Sequence, residues 1–134
     1  IMNALDRGRD RWLEERDATI AAHPPADRLA ALMEWSLSST AEDAVLRTLI
    51  LEIVANAEVE PELRETLQLE SAEFRGFVER TADSSGFADP VHVAELLYVI
   101  VRGCYLAMME DDRHWTPERI RSLTDTVIGS FERA

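Results

Sequence analysis

Lysine is absent from this chain. Its 14 basic residues are all arginine, set against 26 aspartates and glutamates, for a formal net charge of −12. Such a surface repels phosphate backbones, so DNA or RNA binding by this chain alone is excluded, and an anionic membrane surface is disfavoured. Cysteine occurs once, at Cys104. A lone thiol closes no internal disulfide, which fits a reducing cytoplasm. It sits in an apolar run and reads as a small buried hydrophobe, since nothing near it in sequence would form a thiolate. Glycine and proline number five each, and most fall at joints. Strand-type alternation is missing. So are the Gly-x-Ser-x-Gly elbow, the glycine-rich phosphate loop, the nucleotide fingerprint and any Cys–His pairing cue, which leaves no basis for nucleophilic or nucleotide chemistry. No signal peptide is visible.

The periodicity is helical throughout. At 134 residues one domain is the default, with a modest core. A first helix is predicted over about 2–22, with Leu5, Gly8, Trp12 and Ile20 on its apolar side. It starts without a capping residue, as if continuing a longer helix. His23-Pro24-Pro25-Ala26-Asp27 breaks it, because neither proline can continue a helix. A second helix over about 26–38 carries Leu29, Leu32, Met33 and Ser36. Thr40 followed by Asp43 has the pattern of a helix cap. The third helix, about 41–57, has Leu46, Leu49, Ile50, Ile53, Val54 and Ala57 at core spacing. Pro61 opens the fourth, which runs to about Ala82 with Leu63, Leu67, Phe74, Phe77 and Val78 on one side. Gly86 is placed to close it in a left-handed cap. Asp89-Pro90 opens the fifth helix, and Thr116-Pro117-Glu118 the last, where Ile120, Leu123, Val127, Ile128 and Phe131 form a stripe.

The fifth helix, Val91 to Met109, is apolar nearly all the way round. One face carries Ala94, Leu97, Tyr98, Val101, Cys104, Tyr105 and Met108. The other carries Glu95, Val99, Arg102, Leu106 and Met109. A surface helix needs one apolar stripe, so the second face calls for a cover, and a symmetric partner chain is the simplest one. The stretch approaches membrane-spanning length, but His92, Glu95 and Arg102 interrupt it, so it reads as a soluble interface helix.

The order of these elements resembles a known family. Leu49 to Gln68, LILEIVANAEVEPELRETLQ, is similar to the middle of the regulatory domain of TetR-family transcription regulators. Asp89-Pro90, an apolar helix with an internal Gly103, a short link and a final amphipathic helix also match that family. The resemblance implies an all-α, six-helix regulatory domain whose last two helices build a dimeric four-helix bundle. Residues 1–134 then form a single effector-binding and dimerisation domain, with 1–22 as the helix that links it to a DNA reader and 91–133 as the dimerisation helices. Nothing in the sequence matches the helix-turn-helix by which the family reads DNA. The chain is therefore read as a cytoplasmic, non-enzymatic regulatory domain. The resemblance implies a repressor as the parent protein, with operator DNA expected for that parent and not for this chain alone.

The residues themselves suggest a cavity. Met33, Leu49, Ile53, Phe74, Phe77, Tyr98 and Tyr105 can point into one central space, with the tyrosine hydroxyls and Arg102 as its polar groups. A small, mainly apolar effector would fit there. The dimer interface is expected to use Glu95, Val99, Gly103, Leu106, Ile120, Leu123, Val127 and Phe131, with Gly103 allowing close helix approach. Glu95 and Arg102 read as a pair, within the chain or across the dimer. The other reading gives a ligand's charged group to one of them. Glu52 shares an outer face with Thr48 and Asn56 and reads as an exposed charge. His92 with Glu95, and Asp111 with His114, stand one turn apart but do not compose a metal site, and no cofactor is expected. Two alternatives remain. One is a helical protein–protein interaction domain. The other is a helical-bundle enzyme using Glu95, His92 or Glu52 as acid or base.

Overall fold

A computed structural model of the protein describes residues 2–37, 48, 51, 52, 54–56 and 61–134. Among the described residues the regular elements are helices, apart from one isolated antiparallel bridge between Phe87 and Arg133. Helix α1 spans Met2–Ala21. A 3-10 turn at Pro25–Asp27 leads into α2, Arg28–Ser36. Residues 48, 51, 52 and 54–56 are helical. Helices α3 (Pro61–Ser84), α4 (Pro90–Glu110) and α5 (Pro117–Ser130) follow. These make six helical segments, the all-α architecture expected from the sequence.

The joints follow from local chemistry. Pro24 and Pro25 stop α1, and Arg28 Nε donates to the freed carbonyl of His23 at 2.9 Å. Gly86 ends α3 with φ +87°. Its amide donates to the Asp83 carbonyl and that of Phe87 to the Ala82 carbonyl, the paired bonds of a Schellman closure. Asp89 caps α4, accepting from the amide of His92, and Pro90 follows where a missing N–H costs nothing. Thr116 caps α5 in the same way through the amide of Arg119.

Helix α2 is the hub, packing on α1, α3 and α5. Leu29, Leu32 and Met33 are almost completely buried, and each contributes on the order of 1.5–3 kcal/mol of burial. Helix α4 lies along α3 and buries Val93, Ala94, Leu97, Val101 and Tyr105. By length and composition alone α4 could cross a membrane; here one side of it is the centre of the core. The chain's last residues fold back on the α3–α4 turn. Ala88 N donates to the Glu132 carbonyl, and Ala134 N to that of Gly86. Arg133 donates to the Ser85 carbonyl at 2.7 Å and lies 4.0 Å from the centre of the Phe87 ring.

Several expectations shift. Of the third helix's core stripe, Val54 is 52% exposed, while Leu51 packs against the core. Thr48, Glu52 and Asn56 are exposed. Thr40, Asp43, Leu46, Leu49, Ile50, Ile53 and Ala57 lie outside the described residues, as do the side chains of Leu5, Gly8, Trp12 and Leu63. Ile120 was expected at a dimer interface, but it is buried in the chain's own core. The reason is that α5 turns its Ile120, Thr124 and Ile128 side toward α2.

Candidate functional site

Phe74 and Phe77 reach from α3, and Tyr98 and Arg102 from α4, to the seam between the two helices. All four are half-buried. The Phe74 and Tyr98 rings meet tilted by 58°, with centroids 6.2 Å apart. Arg102 Nε donates to the Tyr98 hydroxyl at 3.2 Å. Four residues is one helical turn, which lets both side chains share this flank of α4.

Met33 and Tyr105, expected with this group, sit deeper. Both are fully buried, and the Tyr105 hydroxyl donates to the carbonyl of Ser36 at 3.0 Å. They belong to the packed junction of α2 and α4. The structure thus brings together Phe74, Tyr98 and Arg102, sets Phe77 one turn along α3 from Phe74 against Arg16, and puts Met33 and Tyr105 in the core. Leu49 and Ile53 are outside the described residues. A separate groove of about 240 Å³ opens between α2 and α5. Met33, Leu37 and Ile120 line it, and Glu34, Glu118 and Arg121 stand around it.

Arginines dominate the electrostatics of the seam. Arg16 of α1 is buried, with its guanidinium carbon 3.6 Å from the centre of the Phe77 ring. Its Nη1 meets both oxygens of Glu73 at 2.9 Å, and its Nη2 lies 3.2 Å from Asp17. Arg75 and Arg102 lie 6.0 and 5.1 Å from the centre of the Tyr98 ring. Burial alone would raise the pKa of the Tyr98 phenol. Hydrogen bonds with Ser71 and Arg102 and the charges of Arg102 and Arg75 outweigh that, and the phenol is lowered from its ordinary value. Burial pushes the Cys104 thiol up, which makes it a poor nucleophile.

Sequence reasoning missed Arg16, Ser71, Glu73 and Arg75. Arg16 alone carried a signal: it stands four residues after Trp12 and four before Ile20, on the apolar side of α1. The exposed face of α4 carries Glu95, Val99, Gly103 and Leu106, and Leu123 is exposed on α5. Val99 is 64% exposed. Val127 and Phe131 are half-buried against the core, Phe131 meeting Phe87 edge-to-face at 6.1 Å. Asp89 and Asp111 accept from the amides of His92 and His114, so both act as local caps. Among the described residues, no three His, Cys, Asp or Glu gather as a metal site would require.

Residues 25–131 match the family described as the C-terminal region of BetI-type transcriptional repressors. The chain belongs to that family. A crystal structure of a TetR-family transcriptional regulator from Rhodococcus sp. shares the fold of this BetI-type domain. Its TM-score is 0.78 at 20% sequence identity, over 95% of this chain and 70% of that one. No curated protein matches the chain. The BetI-type segment begins at Pro25, so α1 precedes it. Through Arg16, α1 reaches Glu73 and Phe77 of α3 within it.

Proposed function

We propose that this chain is the effector-sensing and dimerisation domain of a TetR-family repressor. A small, mainly apolar effector binds at the α3–α4 seam. By favouring one placement of α1, it changes the spacing of the paired DNA readers in the parent protein. The observation that carries this reading is the contact of Arg16 with Phe77 and Glu73. It joins the helix that leads toward a reader to the half-buried aromatic seam. An effector acts only as far as it binds the two placements of α1 unequally.

The exposed apolar face of α4 supports a homodimer, with Leu96, Val99, Leu106 and Met109 uncovered on one helix. A second copy covers them in the arrangement usual for the family. The net charge of −12 supports a domain that leaves operator contact to its reader. The test is a thermal-shift screen of apolar and amphiphilic compounds, with sedimentation to establish the dimer. An effector at a hundredfold excess over its dissociation constant stabilises the domain by about 2.7 kcal/mol. The shift shrinks in Phe74→Ala and in Tyr98→Ala. No stabilising compound, or shifts unchanged in both variants, overturns the reading. A monomer that binds a different protein would favour a heterologous interaction domain instead.

A further inference from the structure

We propose that Arg75 and Arg102, on either side of the α3–α4 seam, form the anion-binding end of the effector site, and that the effector is an amphiphilic carboxylate. The inference rests on the effector-sensing reading above and adds the ligand's chemical class.

Both guanidiniums are held by one nitrogen only. Arg75 Nε donates to the Ser71 carbonyl at 3.3 Å, and Arg102 Nε to the Tyr98 hydroxyl at 3.2 Å. Among the described residues their terminal nitrogens have no partner, and neither arginine has a carboxylate within 4 Å. Acidic residues outnumber arginines 26 to 14 in this chain. Arg16 shows the contrasting case, with Glu73 and Asp17 both taken up. Two guanidiniums without a carboxylate among the described residues, Arg102 half-buried and Arg75 exposed at the rim, flank one aromatic ring and match a carboxylate, which accepts from planar donors edge-on. The Phe74 and Tyr98 rings supply the surface for an apolar body.

The test is calorimetric titration of the purified protein with two matched pairs, 4-phenylbutyrate with its amide and decanoate with its amide. A charge-assisted contact is worth about tenfold in affinity, so each carboxylate binds about tenfold more tightly than its amide. Arg75→Gln and Arg102→Gln each reduce that preference, weakening the carboxylate more than its amide. A spectroscopic signature accompanies binding. In Tyr105→Phe, the remaining phenol absorbance near 295 nm titrates at higher pH with carboxylate bound, because the anion offsets the arginine charges. Equal affinity within each pair overturns the inference. If Phe74→Ala then weakens both members, the effector-sensing reading stands alone. If neither carboxylate binds, the inference also falls, and the screen of neutral compounds decides the other reading. A preference that survives both arginine substitutions overturns it too. So does conversion of the dimer to monomer by Arg102→Gln, which would assign that guanidinium to a second copy's carboxylate.

Discussion

Arg16 of α1 reaches both carboxylate oxygens of Glu73 on α3 through a single nitrogen, at 2.9 Å each, while its guanidinium lies 3.6 Å from the centre of the Phe77 ring. The two partners are unequal. The Arg16 side chain is 7% exposed and that of Glu73 is 38% exposed. Removing the Glu73 carboxylate leaves the buried cation with only Asp17, 63% exposed, as its acidic partner, whereas removing the cation leaves an acid that water can still reach. Glu73→Ala is therefore expected to destabilise more than Arg16→Met, by about 1–2 kcal/mol against less than about 1 after allowance for screening. Urea denaturation measures the order. Hydrogen exchange in α1 should quicken in both variants, and an unchanged rate would show that α1 does not depend on this contact.

The apolar face of α4 provides the second prediction. Val99→Arg and Leu106→Arg place charge at positions 64% and 52% exposed in the single chain. Each should yield a monomer with unchanged helical circular dichroism, as read by sedimentation velocity. Val127→Arg is a poorer probe, since Val127 packs against the chain's own core. A dimer that persists in both α4 variants would rule out this interface.

Two glycines should respond in opposite directions. At Gly86 an added Cβ meets nothing within 4 Å, but φ is +87°. Gly86→Ala therefore carries a backbone cost alone, about 1–2 kcal/mol, and Gly86→Asn recovers part of it. Gly103 lies within α4, also in open space. There alanine should stabilise the single chain by up to about 1 kcal/mol through helix propensity. If Gly103 sits where two copies approach closely, a bulkier Gly103→Leu weakens dimerisation, read as a concentration-dependent melting temperature.

Tyr98 offers a pH signature. Its phenol is lowered by the Ser71 and Arg102 hydrogen bonds and the Arg102 and Arg75 charges, against the opposing effect of burial. A group whose folded pKa is depressed adds stability above its unfolded pKa, and that stability is lost as pH falls through the folded value. The contribution is thus confined to alkaline solution and absent near neutrality. In Tyr105→Phe, ultraviolet titration should show the remaining tyrosine ionising below the ordinary range. Arg102→Gln should move it upward. No movement would remove Arg102 from the account.

The joints of this fold were legible because their causes are local. Pro24-Pro25, the Gly86 closure, Asp89-Pro90 and Thr116-Pro117 each act within one turn of backbone. The two-faced character of α4 was equally plain, since helical spacing puts Val99 and Leu106 opposite Leu97 and Val101 whatever surrounds them. The seam was legible only in part. Phe74, Tyr98 and Arg102 meet there, but Tyr105 and Met33 do not share its half-exposed surface, because Met33 belongs to the buried face of α2 and Tyr105 bonds to the end of that helix.

By itself, the sequence determined where helices start and stop, which helix has more apolar surface than one chain needs, and the family to which the pattern belongs. These are consequences of spacing and capping within one segment. Tertiary structure decided which stripe of α5 faces inward, so Ile120 went to the core and left Leu123 exposed. It also decided that Arg16 is buried on Phe77 and Glu73, and that Arg75 and Arg102 have no carboxylate among the described residues. Each of those outcomes depends on groups far apart in the chain, 57 positions in the case of Arg16 and Glu73. Periodicity within one helix carries no information about which distant charge will arrive opposite it.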